Sequence, residues 1–171
     1  MAILKICTVG DPILTRVAGR IDDIDAEVLQ LAKDMVQTMH RAPGVGLSAP
    51  QVNASRRLIT IDLSIGKNPE ELIVLVNPEI VAQKGSCLSE EGCLSVPGYS
   101  EKVNRPAKVT VKGLDLKGRE RTYEAEDLLA RAFCHEIDHL DGKLFLDRLS
   151  PLKRQLLKRK MRKELGPETR L

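Results

Sequence analysis

The chain has 171 residues, of which 42% are apolar and 30% charged, an ordinary globular balance sized for one domain over residues 1–171. No apolar run approaches the ~20 residues of a membrane span. The start, MAILKICTVGDPIL, has neither a long apolar stretch nor a small-residue cleavage site, so the four scattered cysteines read as free thiols in a reducing, cytoplasmic setting.

With two Tyr, two Phe and no Trp, the core must be built mainly from Leu, Ile, Val, Ala and Met. Residues 24 to 41 read as a helix, because Ile24, Val28, Leu31, Ala32, Met35 and Met39 recur at three and four. Asp22 or Asp25 is its N-cap, and the APG at 42 to 44 ends it. RLITIDL, residues 57 to 63, alternates as a half-buried strand. LIVLVNP, residues 72 to 78, is a buried strand that stops before Pro78. AKVTVKGLDLKGRERTYEA gives two or three strands with a tight turn at Lys117-Gly118. A second helix spans 126 to 140, with Gly142 suited to its C-terminal end. Ser150-Pro151 starts a third helix that runs to about Leu165, before Gly166-Pro167. Strands around one motif helix imply an α+β fold with mainly antiparallel sheet.

The motif is CHEIDHLDG, residues 134 to 142. His135 and His139 stand one helical turn apart, about 6 Å along the axis, so both imidazoles leave one face and can share a metal ion. Glu136 lies about 100° around from His135 and about 60° from His139, flanking that ion and placed to handle the protons of a water held there.

Two histidines need a third protein ligand for a catalytic zinc-type site with one position left for water. Downstream, Glu164 on the basic helix is the spaced candidate; upstream, EEGCLSVPG offers Cys93, with a glycine before it that lets backbone approach closely. Cys87 competes, but it, Cys7 and Cys134 read better as small buried hydrophobes. His40 ends a helix, where an imidazole can meet the last carbonyls. GVGLSAPQ, residues 44 to 51, permits tight backbone passage beside a ligand and ends in Gln51, whose amide can donate to an oxyanion.

Together GVGLSAPQ, EGCLS and HEIDH, in this order and spacing, resemble the peptide deformylase family, and GDPIL near the start and DHLDGKLFLDRL after the motif extend the resemblance over nearly the whole chain. Ser48 departs from the family, which more often has Ala there. The resemblance implies hydrolysis of the formyl group from N-terminal formylmethionine of new polypeptides, with release of formate. It assigns the metal to Cys93, His135 and His139, general acid–base work to Glu136, and oxyanion stabilisation to Gln51 and the Leu94 N–H. Val45 and Gly46 would bind substrate, Gly46 by strand-like hydrogen bonds. Leu128 and Ala132, which share the helix face of the two histidines, would form the methionine pocket, with the unexpectedly polar Arg131 at its border. The ligands alone point to zinc. The resemblance makes the native ion Fe(II), one per chain, with zinc, nickel or cobalt as substitutes. It also brings EKVNRP close to the motif helix, hence an expected Arg105–Asp138 ion pair.

Two other readings remain open on the residues alone. One is a zincin-like endopeptidase with Glu164 as third ligand. The other is a structural metal site on a nucleic-acid-binding protein. Both involve the tail, where residues 150 to 171 carry eight Lys or Arg against two Glu; this is a net of +6 in a chain of +3, so the rest sums to −3. Leu152, Leu156, Leu157, Met161 and Leu165 are expected to form one apolar stripe on that helix. Seven cations between Lys153 and Lys163 suit a surface of RNA phosphate, and the resemblance points to the ribosome.

Overall fold

The computed structural model describes residues 2–166, Thr169 and Leu171. Its elements are α1 (Ala26–Arg41), β1 (Gly46–Ser48), β2 (Leu58–Ile61), β3 (Ile73–Lys84), β4 (Cys87–Cys93), β5 (Val96–Arg105), β6 (Lys108–Leu114), β7 (Glu120–Glu126), α2 (Asp127–Leu140) and α3 (Pro151–Leu165). The strands form a five-stranded antiparallel sheet in the order β1-β2-β3-β6-β7 and a separate antiparallel hairpin, β4-β5. This is the expected α+β fold. No described helix is long and apolar enough to cross a membrane.

The alternation of side chains along a strand sends successive residues to opposite faces. Ile59, Ile61, Leu75, Val109 and Val111 therefore meet Phe133, Ile137 and Leu140 of α2 on one face. Leu58 and Val76 meet Val28, Ala32, Met35 and Met39 of α1 on the other. Because helices cover both faces, β2 is buried throughout, not half-buried as its pattern implied. Its polar Thr60 is fully buried and donates to Met39 Sδ (3.5 Å) and Leu47 O (3.4 Å).

Asp25 caps α1 by accepting from the Val28 N–H at 3.0 Å. Gly142 (φ 74°) follows α2, and Gly118 (φ 78°) makes the β6–β7 turn. The strand expected to stop before Pro78 runs through it to Lys84. Asn77 takes a left-handed conformation (φ 51°), and the register with β6 shifts between Val76 and Glu79. A bulge of this kind takes up the missing N–H of proline.

Ser150 caps α3, accepting from the Lys153 N–H at 3.3 Å. Pro167, expected just beyond its end, lies outside the described residues. The single apolar stripe does not form. Leu157, Met161 and Leu165 follow one another at four, whereas Leu152 and Met161 are about 180° apart around the helix. Met161 is fully buried and Leu157 half-buried, but Leu152 is 67% exposed and Leu156 53%. Met161 packs into a third cluster with Val96, Val103, Phe145 and Leu146, against which Cys93 and Tyr99 also lie.

Candidate active site

Helix α2 brings His135 and His139 together as their spacing requires, with Nε2 atoms 3.1 Å apart. Cys93 ends β4 opposite them. There the β4–β5 register shifts between Gly92 and Cys93, with the extra residues on β5, and Cys93 Sγ lies 3.3 Å from His139 Nε2. The three donor atoms all lie within 4.8 Å of one another, the one such cluster among the described residues. Glu164, the alternative ligand, is elsewhere: it accepts from the Tyr99 hydroxyl.

Glu91, which the sequence reading passed over, organises the surroundings. Strand alternation puts it on the same side of β4 as Cys93, facing α2. Its carboxylate contacts His135 Nδ1 at 2.5 Å and accepts from Arg105 at 2.6 and 3.1 Å and from Arg131 at 2.7 Å. Arg105 also reaches Asp138 at 2.6 Å, the expected pair, and Asp138 takes two further bonds from Arg148 at 2.6 and 2.9 Å. Burial pushes the Glu91 carboxyl up, but the His135 and Arg105 contacts outweigh it and hold the group well below the usual carboxylate range. Asp138 follows the same logic, with Arg148 and Arg105 overcoming its burial. With Nδ1 committed to Glu91, His135 turns Nε2 to the donor cluster. Burial and the neighbouring His135 depress His139 well below its ordinary value, leaving a neutral imidazole with a lone pair to give.

Glu136 lies beside this cluster. Its Oε2 is buried with no hydrogen-bond partner, and burial pushes its carboxyl up to about 7. A Cβ at Gly46 would sit 2.6 Å from Glu136 Oε1 and 3.0 Å from its Cγ and Cδ, so only glycine lets β1 pass this close to the carboxylate. Gln51 is held in the turn after β1, with Nε2 3.6 Å from Cys93 Sγ. The site opens on a cleft of about 600 Å³ with Val45 and Gly46 on one side and Leu128 and Ala132 on the other. Leu94 also lines it, in contact range of Gly44.

Every residue that the resemblance assigned to the site therefore borders this cleft or, for His139, the donor cluster within it. Three side chains differ from expectation in detail. Arg131 stands in the cleft wall, but its guanidinium is committed inward to Glu91, Val103 O (3.1 Å) and Cys87 O (2.8 Å). Cys87 is exposed rather than buried, since it begins a hairpin whose outer positions face solvent; Cys7 and Cys134 are buried as expected. His40 bonds Asp62 Oδ2 at 2.7 Å instead of helix carbonyls, because β2 ends directly beneath it.

Two imidazoles and a thiol converging next to a buried carboxylate, above an open cleft, define a metal-dependent hydrolase of the His-Glu-x-x-His kind. The family model described as Polypeptide deformylase matches residues 3–155. The chain belongs to the peptide deformylase family, and it is a hydrolase that removes the formyl group from the N-terminus of nascent peptides. It is 50% identical over 169 residues to a peptide deformylase of Syntrophobacter fumaroxidans, covering 99% of each chain. Against a crystal structure of a peptide deformylase from Legionella pneumophila the TM-score is 0.88, with 49% identity over 95% of each chain. Against that from Thermus thermophilus it is 0.89, with 40% identity over 98% of each chain.

Proposed function

We propose that Cys93, His135 and His139 hold one divalent cation, natively Fe(II) with zinc, nickel or cobalt as substitutes, and that Glu136 is the general base and acid of deformylation. The meeting of the three donor atoms within 4.8 Å, next to a carboxylate with an unpartnered buried oxygen, carries this reading. The donors fit such an ion: a thiol and two imidazoles suit borderline metals, and one imidazole is already neutral. When bound, the ion supplies Lewis acidity that activates water and polarises the formyl oxygen.

The chain's own groups do the rest. Glu136, with a carboxyl near 7, takes the proton of the attacking water and returns it to the departing amine. Gln51 Nε2 and the Leu94 N–H donate to the oxyanion of the tetrahedral adduct. Val45 accepts from the Asp62 N–H at 2.8 Å; since an antiparallel ladder alternates, Gly46 turns its N–H and C=O away from β2 and toward the cleft. A substrate backbone adds there as a further strand. Leu128 and Ala132 receive the methionine side chain, with Arg131 stiffening the wall behind them.

Glu136→Ala tests the assignment: metal content should stay at wild type while deformylation of a formyl-Met dipeptide falls by several orders of magnitude. Turnover near the wild-type rate overturns it.

We also propose that the activity resides in one domain, works in the cytoplasm, and is brought to the ribosome by the basic face of α3. Arg159, Arg162 and Lys163 are exposed on a helix that Met161 anchors, which supports a cationic surface free to meet RNA phosphate. Reversing these three charges to Glu keeps Met161 in place, as a truncation would not. The variant should hydrolyse the dipeptide normally and co-sediment less with ribosomes at low salt. Equal co-sedimentation removes the ribosome proposal.

A further inference from the structure

A glutamine amide can turn either end toward a reaction, and only its N–H₂ end can stabilise an oxyanion. Among the described residues, three contacts decide which end Gln51 presents. The Ser48 backbone N–H, which can only donate, meets Gln51 Oε1 at 2.9 Å. The Ser48 hydroxyl donates to the same oxygen at 3.0 Å. On the other side Gln51 Nε2 donates to Ser95 Oγ at 3.1 Å. All three residues are buried, so these bonds do not exchange freely with solvent. The turn itself is pinned by Cys7, whose N–H donates to Gln51 O at 2.7 Å.

The amide has two lone pairs on oxygen and two N–H groups on nitrogen. Ser48 occupies both lone pairs and Ser95 one N–H. The remaining N–H is the one on the Cys93 side, 3.6 Å from Sγ at heavy-atom distance, where the donor cluster opens into the cleft. Donation into the amide oxygen also polarises the group and strengthens its N–H as a donor.

We propose that the Ser48 hydroxyl is a positioning residue for the reaction, holding the Gln51 amide in the single orientation that points one N–H at the developing oxyanion. Alanine at this position would leave the backbone bond and lose the hydroxyl bond. The inference rests on the reading of Gln51 as an oxyanion donor.

A double-mutant cycle on the metal-loaded enzyme tests it, with a formyl-Met dipeptide as substrate. Ser48→Ala should lower kcat roughly two- to tenfold, the worth of one neutral hydrogen bond, with KM and metal content unchanged. Ser48→Cys keeps a side chain of the same shape, somewhat larger, and weakens the donor, and should show at least the same loss. Gln51→Ala should cost roughly 100-fold or more. In the Gln51→Ala background, Ser48→Ala should cost nothing further, because there is no amide left to hold. Wild-type kcat in either Ser48 variant overturns the proposal, and so does an equal loss in both backgrounds, which would mark a general structural defect. A silent Gln51→Ala overturns the oxyanion reading and the clamp together.

Discussion

The charges on α2 and those on α3 live by opposite rules. Around α2, Glu91, Arg105, Arg131 and Asp138 are buried and each is bonded to at least two partners, and Glu91 also contacts the imidazole of His135. Along α3, Arg159, Arg162 and Lys163 face solvent, and the Lys153–Glu101 pair is spread over 3.7 Å with half of the lysine side chain exposed. Desolvated charges are costly unless every one is partnered, so the α2 network constrains geometry; solvated charges cost little and constrain little. The first set is suited to fixing a reaction centre, the second to meeting a large charged partner in many orientations.

The largest effect should come from the donor cluster itself. Cys93→Ala should lose most of its metal and nearly all activity, while Cys87→Ser and Cys134→Ser keep the wild-type metal content; full occupancy in the Cys93 variant would separate the buried network from metal binding. Next in size, Arg105→Ala leaves Glu91 and Asp138 short of a partner and should destabilise by about 3–5 kcal/mol in urea unfolding. Lys153→Ala on α3 should change stability by less than about 1 kcal/mol in the same measurement. Similar values for the two would erase the contrast. The smallest test lies within α3: Met161→Ala should cost about 2–5 kcal/mol and Leu152→Ala within about 0.5 kcal/mol, reversing what one continuous stripe would predict.

Local patterns were the legible part. The two histidines and Glu136 were readable because a helix converts spacing directly into a shared face, and the Asp25 and Ser150 caps because their chemistry is confined to a few neighbouring residues. The metal-ligand choice was not: spacing left Cys93 and Glu164 open, and only the resemblance favoured Cys93. The β4–β5 hairpin escaped because SCLSEEG is exposed on most positions and shows no apolar alternation. Glu91 escaped for a related reason: an acid in a polar stretch looks like a solvated one until the arginines from β5 and α2 arrive, and those contacts span 14 and 40 residues of chain. Burial inferred from residue type failed at Cys87, and stripe counting failed on α3 because the step from Leu152 and Leu156 to Met161 crosses the helix.

The open edge of β1 carries a consequence for what the molecule can distinguish. A strand that grips its guest through amide groups grips every polypeptide alike, whatever side chains lie further along. On the proposed docking of substrate along β1, selection would fall on the blocked end and the first residue, and nascent chains of different sequence would compete alike for the one site. An unpaired edge is ordinarily an invitation to aggregation, but this one is three residues long and borders the cleft. At that length it offers too little for a neighbouring sheet to seize.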